Sequence, residues 1–167
     1  SFNVSLIDNT NPNPICQNIT KYLDVTGNIS ITTSEVDNGS NDGCGPVILG
    51  VANVGTICAT VFEHNWLTLT APVGTVITSI DFASYGTPNG TCGNFTYGAC
   101  HQPTTLSIVE AAALGQNSVS ILATNTLFTD PCGGTPKRLY IQASYSSAYG
   151  ATANFTCADV GTQTVSL

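Results

Sequence analysis

Trp66-Leu-Thr-Leu-Thr-Ala-Pro-Val-Gly-Thr-Val76 is the stretch whose pattern decides the fold class. Apolar and polar residues alternate along it, which is the period of a strand with one dry and one wet face. The single tryptophan, Trp66, reads as a core residue of that strand. The same alternation recurs at Phe2-Val4-Leu6, Ile29-Ile31 and Leu139-Ile141-Ala143, with Gly, Pro, Asn and Asp between. Half-buried strands joined by turns account for all of these. Only one stretch has helical character: Ser107-Ile-Val-Glu110 has capping-box spacing, apolar Ile108, Val109, Ala112 and Ala113 follow, and Gly115 can close the end. The expectation is a mainly β chain carrying one short helix of about two turns.

Composition narrows the partners. The 167 residues are 8% charged and 42% hydrophobic, and no apolar run approaches the length of a membrane span. A net charge of −7, with Lys21, Lys137 and Arg138 as the strong cations, argues against nucleic acid and against anionic membranes. Seven cysteines, none in a CxxC pair, suggest disulfides and an oxidising, extracellular setting rather than zinc. Their odd number leaves one to pair outside this segment, as in a slice of a longer exported protein. Asn-x-Ser/Thr sequons at Asn3, Asn18, Asn28, Asn38, Asn89, Asn94 and Asn154 are either glycan acceptors or the chance product of an Asn-, Ser- and Thr-rich chain.

The character of the sequence changes near residue 50 and again near residue 148. The middle holds most of the cysteines, the tryptophan and two of the three cations, while the tail Ala153-Asn-Phe-Thr-Cys157-Ala-Asp-Val-Gly161 returns to the style of the first part. A tail this short must complete something begun earlier. The expected organisation is a discontinuous β-sandwich over residues 1–52 and 149–167, with residues 53–148 inserted as a second domain. Pro14-Ile-Cys-Gln-Asn-Ile-Thr20, Leu23-Asp-Val-Thr-Gly-Asn-Ile-Ser30, Asp37-Asn-Gly-Ser-Asn-Asp-Gly-Cys-Gly45, Phe155-Thr-Cys157 and Thr164-Val-Ser-Leu167 resemble the immunoglobulin-like repeats of large Bacteroidetes surface adhesins, gliding-motility adhesins among them. That resemblance makes residues 1–8 the last strand of a preceding repeat, and implies neighbouring repeats of the same polypeptide as partners.

The middle carries an ordered series of short motifs: Ile80-Asp-Phe-Ala-Ser-Tyr-Gly86, Gly90-Thr-Cys-Gly93, Cys100-His101, Leu106-Ser-Ile-Val109, Ala123-Thr-Asn125, Phe128-Thr-Asp-Pro-Cys132 and Gly134-Thr-Pro-Lys-Arg-Leu-Tyr140. Over about residues 58–147 these resemble the rhamnose/galactose-binding lectin domain of egg lectins, found also at the C-terminus of plant β-galactosidases. The resemblance implies bridges Cys100–Cys132 and Cys58–Cys92, although Cys58 stands several residues earlier than the family pattern. Two further cysteine pairs of that pattern fall on Ala113 with Val119 and on Ala71 with Ser147, each missing as a pair.

The resemblance also implies a sugar site made of Glu63, Tyr85, Asn125, Asp130 and Lys137. The arginine that often follows Tyr-Gly is Thr87 here. Sugar hydroxyls need fixed carboxylate, amide and cationic groups, which this set supplies. Apart from any family, Lys137-Arg138 beside Asp130 and a Pro-Cys-Gly-Gly turn already draws notice in a chain so poor in cations. An ordinary Asp–Lys salt bridge is the alternative reading. Asp37-Asn-Gly-Ser-Asn-Asp42 reads as an Asx turn or an oxygen-rich calcium loop without EF-hand spacing, and Asp8, Asp37, Asp42 and Asp159 are the candidate calcium ligands. No other cofactor is implied. His64 and His101 stand alone and read as turn or packing residues.

Neither a GxSxG elbow nor a Ser-His-Asp series is present, so the chain reads as a non-enzymatic binder of rhamnose- or galactose-like glycans at a cell surface. The alternatives are a structural spacer repeat without a ligand and an accessory domain of a glycosidase.

Overall fold

The computed structural model describes residues 10–43, 47–156 and 164–166. It divides into two compact units, one drawn from Ser1–Asn53 with Tyr149–Leu167 and the other Val54–Ala148. The strand expected at Phe2-Val4-Leu6, together with Asp8, Cys44, Cys157 and Asp159, lies outside the described residues.

In the outer unit, β1 (Asn28–Thr32) pairs antiparallel with β7 (Thr152–Thr156), with Ile29 opposite Phe155 and Ile31 opposite Ala153. The tail thus pairs with a strand some 120 residues earlier in the chain. Val36, Val51, Ala153 and Phe155 form its small buried core, joined at the margin by Ile19, Ile29, Ile31 and Val165. A single helical turn, α1 (Thr33–Val36), follows β1; the Glu35 carboxylate accepts the Thr32 N–H at 3.0 Å and pairs with Lys21. In the Asp37 loop the carboxylate accepts the Ser40 N–H at 2.9 Å. Among the described residues, no three His, Cys, Asp or Glu side chains come together to hold a metal. Val51 and Gly150 exchange backbone hydrogen bonds in both directions, at 2.7 and 3.0 Å.

The inner unit is built on an antiparallel sheet in which β6 (Arg138–Ser147) lies between β2 (Ala52–Phe62) and β4 (Thr75–Gly86). The short β8 (Thr164–Ser166) belongs to the outer unit. Leu139, Ile141, Ala143 and Tyr145 bury one face of β6, as strand alternation requires. In β4 the alternation is broken by register shifts between Ile77 and Ser79 and between Ile80 and Phe82. These shifts let Ile77, Ile80, Ala83 and Tyr85 all reach the same core despite uneven spacing. A second ladder, β3 (Trp66–Thr70) with β5 (Ser118–Leu122), adds Leu67, Leu69 and Ile121.

Trp66 is not a core residue. It is 64% exposed, because it shares its side of β3 with Thr68 and Thr70 while Leu67 and Leu69 point inward. The stretch from Trp66 to Val76 is also two strands with a Pro72–Gly74 turn between them, Gly74 taking φ +81°.

Three helices are present among the described residues rather than one, α1 and α3 (Asn125–Phe128) being single turns. The long one, α2 (Thr105–Ala113), begins earlier than Ser107 because Thr105 is put to work: its buried hydroxyl donates to the Gln102 carbonyl at 2.7 Å and accepts the Tyr85 N–H at 3.2 Å. Ser107 lies inside the first turn and bonds back to the Thr104 carbonyl. Gly115 follows the helix with φ +77°, as its place after the helix end predicts. No helix among the described residues is long and apolar enough to cross a membrane.

Both bridges implied by the resemblance are present, Cys58–Cys92 and Cys100–Cys132. Cys16 carries an exposed free thiol. Ala71 and Ala113, where two cysteines of the lectin pattern would stand, are buried in the apolar cluster instead, with Val119 packed against it.

Candidate functional site

The residues of the expected sugar site lie at the ends of several elements, and the backbone locks those ends together. Glu63 follows β2, and its N–H donates to the Lys137 carbonyl at 3.0 Å; in return the Lys137 N–H donates to Glu63 Oε1 at 3.1 Å. Tyr85 ends β4 on the buried face, and Asn125 opens α3 after Thr124. Asp130 stands two residues after Phe128, across Thr129, whose φ of +60° is rare for a β-branched residue and turns the chain sharply. The Gln102 side-chain amide donates to the Thr129 hydroxyl and braces that turn.

Lys137 is the centre. Its side chain is only 4% exposed, and a buried ammonium is tolerated only when its protons are used. The Nζ group donates to Asp130 Oδ1 at 2.9 Å and to the Thr135 carbonyl at 3.0 Å, and stands 3.9 Å from Glu63 Oε2. Asp130 Oδ1 also accepts the Cys132 N–H at 3.0 Å, so the Cys100–Cys132 bridge and the carboxylate share one tight turn. The Lys137 ammonium, and after it the Cys132 N–H, hold the Asp130 carboxyl below its usual range. Asp130 remains 40% and Glu63 21% exposed, leaving carboxylate oxygens open to a ligand.

Tyr85 joins the other half. Its ring is buried and stacks on Phe128 with centroids 5.0 Å apart, and its hydroxyl donates to Asn125 Oδ1 at 2.8 Å. Burial, and then the negative charges of Glu63 and Asp130, push this phenol up to about 12, so it stays protonated and a donor through the physiological range. Glu63, Asp130 and Lys137 thus form one cluster and Tyr85 with Asn125 a second, the two joined by the influence of the Glu63 and Asp130 charges on the Tyr85 phenol. With its acceptor Oδ1 already engaged by Tyr85, Asn125 keeps its amide N–H2 for other partners.

The Tyr-Gly pair has a steric reason. Gly86 has φ +151°, and a Cβ there would lie 2.1 Å from the Cys100 carbonyl oxygen. That close approach carries the hydrogen bonds from Thr87 N–H to the Cys100 carbonyl and from Gln102 N–H to the Tyr85 carbonyl. Thr87 uses its hydroxyl to accept the Cys100 N–H at 3.1 Å, a structural contact within the loop. Sequence reasoning did not single out Phe128 as the floor under Tyr85, or Gln102 and Thr129. Nothing in the sequence marks the contact between the last two, which spans 27 residues. His101 packs against Tyr97 with centroids 4.2 Å apart and hydrogen-bonds Ser84 through Nδ1, while His64 takes φ +65° in the turn after Glu63.

Residues 69–146 match the D-galactoside/L-rhamnose binding SUEL lectin domain. The matched block includes four of the five site residues, Glu63 lying just before it. The SUEL lectin domain is a non-catalytic module. Among curated proteins, β-galactosidase 8 of Arabidopsis thaliana is 46% identical over 81 residues, which is 48% of this chain and 10% of that protein. β-Galactosidase 6 of Oryza sativa subsp. japonica is 42% identical over 73 residues, 44% of this chain and 8% of that protein. The likeness therefore spans about a tenth or less of these relatives' length.

Proposed function

We propose that this chain is a carbohydrate-binding segment of a large extracellular adhesin, attaching a cell surface to rhamnose- or galactose-like glycans through Glu63, Tyr85, Asn125, Asp130 and Lys137. The observation that carries the reading is the convergence of these five side chains in and beside the lectin block, with part of each carboxylate left open. A ligandless spacer has no need of a buried lysine held by two carboxylates. Hydrophobic residues of similar volume commonly serve a core as well or better.

In this reading the outer unit, residues 1–52 with 149–167, is an immunoglobulin-like repeat of the gliding-adhesin kind, and residues 53–148 are inserted in it. The pairing of β1 with β7 supports a strand completed by the tail. The two disulfides support an oxidising, extracellular setting. Calcium shared by Asp8, Asp37, Asp42 and Asp159 at a repeat junction belongs to the same proposal.

A second reading, an accessory domain of a glycosidase, is favoured by the β-galactosidase relatives. Both readings assign the same sugar site and differ only in what surrounds it.

The test is a titration of galactose- and rhamnose-bearing glycans into the wild-type chain and into folded Asp130→Ala. A sugar hydroxyl bonded to a charged partner implies at least about tenfold weaker binding in the variant. Equal affinity in the two would remove the site.

A further inference from the structure

The outward side of the β3–β5 ladder has been left without a role. It presents Trp66, Thr68 and Thr70 from one strand, paired in register with Leu122, Ser120 and Ser118 of the other. None of these six residues is charged. Thr68 and Ser120 share a hydrogen bond of 2.9 Å, and Thr70 and Ser118 one of 2.7 Å. A hydroxyl pair of the first kind uses one of its two protons, so an O–H donor and several lone pairs remain for a ligand. At the end of this row of hydroxyls stands an exposed indole, a large rigid apolar face of the kind that accepts the C–H side of a sugar ring.

This row begins beside the site already described. Trp66 is three residues from Glu63, and Leu122 three from Asn125, so each pair of Cα atoms is at most about 11 Å apart. Between them the strands are fastened by hydrogen bonds from His64 N–H to the Ala123 carbonyl at 2.7 Å and from Ala123 N–H to the Asn65 carbonyl at 3.0 Å. Charge separates the two surfaces. The Glu63–Lys137–Asp130 centre is ionic, whereas the ladder is neutral in a chain of net charge −7, which suits a neutral polyol and offers nothing to an ionic partner.

We propose that the Trp66 face of the β3–β5 ladder is a second saccharide subsite, which takes the following sugars of a neutral glycan whose terminal residue sits at Glu63 and Asp130. The inference rests on the reading of that first site as a sugar site. It makes the ligand class an extended neutral oligosaccharide, with stacking on Trp66 and hydroxyl contacts along Thr68 and Ser120.

The experiment compares free D-galactose and L-rhamnose with a neutral oligosaccharide ending in the same sugar, titrated into the whole chain as wild type, Trp66→Ala, Trp66→Phe and Asp130→Ala. Wild type should bind the oligosaccharide about tenfold more tightly than the monosaccharide. Trp66→Ala should erase that advantage while leaving monosaccharide affinity unchanged, and Trp66→Phe should keep most of it. Trp66 is the only tryptophan, so its emission should change with the oligosaccharide and not with the monosaccharide. Equal behaviour of wild type and Trp66→Ala toward both ligands overturns the subsite while leaving the first site intact. So does a self-association that Trp66→Ala abolishes without touching sugar binding, since a second copy is then the occupant. Failure of wild type to bind either sugar, or monosaccharide binding that Asp130→Ala does not weaken, overturns the first site and the subsite with it.

Discussion

Each unit holds one lysine paired with a carboxylate, and the two pairs differ in almost everything else. Lys21 and Glu35 of the outer unit are 35% and 33% exposed and meet beside a single helical turn over a small apolar core. Lys137 of the inner unit is nearly sealed, its ammonium shared among Asp130, the Thr135 carbonyl and Glu63, in a block crossed by two disulfides. The first is a contact that water can replace. The second exists only because the surrounding turns are fixed, and fixed donors and acceptors are what a polar ligand requires. Ion pairs in one chain therefore carry different meanings according to burial and bracing, not according to residue type.

The contrast breaks most visibly if the bracing is removed. Replacing both Cys100 and Cys132 by Ala should destabilise the inner unit by about 2–5 kcal/mol, measured by denaturant unfolding. Loss of sugar affinity should accompany it, because the Asp130 turn contains Cys132. An unchanged midpoint and unchanged affinity would show that the turn holds itself.

A smaller effect should come from acid. Lys137 lowers the Asp130 carboxyl from its ordinary value of 3.8, so the charged form is favoured in the folded chain. The contribution to stability and binding is then complete above about that pH and is lost as pH falls through the depressed value. Glycan affinity should stay level from neutral pH down toward 4 and fall below it; a decline centred near pH 6 would point to a histidine instead.

The smallest effect belongs to the outer pair. Lys21→Ala should change stability by less than about 1 kcal/mol and leave glycan binding as it was, since exposed pairs of this kind contribute little. A larger loss would mean that the Lys21–Glu35 pair does more than its exposure implies, and the comparison would have to be redrawn.

What could be read in the sequence followed from how local each cause is. Leu139-Ile141-Ala143 and Ile29-Ile31 announced strands because alternation is a property of neighbours in the chain. Trp66 was misplaced because its apolar side chain outweighed its parity: it stands in step with Thr68 and Thr70, and parity decides the face. The start of α2 was missed because Thr105 is recruited by Tyr85, twenty residues away, and nothing near Ser107 records that. Asp130 and Lys137 draw notice in a chain so poor in cations, Glu63, Tyr85 and Asn125 could be named only through the lectin resemblance, and the burial of Lys137 and the Gln102 brace on Thr129 arise from tertiary contacts. The break in alternation along β4, where Ile77, Ile80 and Ala83 all turn inward, is likewise a property of the pairing with β6.

The pairing of Val54 with Ser146 places the way in and the way out of the inner block at a single root. Tension drawn along the polypeptide on either side of that root would load the β2–β6 ladder from one end. Its hydrogen bonds would then part in succession, like a zip, instead of resisting together in shear. The disulfides set the limit of such yielding. Cys58–Cys92 and Cys100–Cys132 short-circuit most of the chain between the two strands, so a block pulled open at its root releases only the length outside those loops.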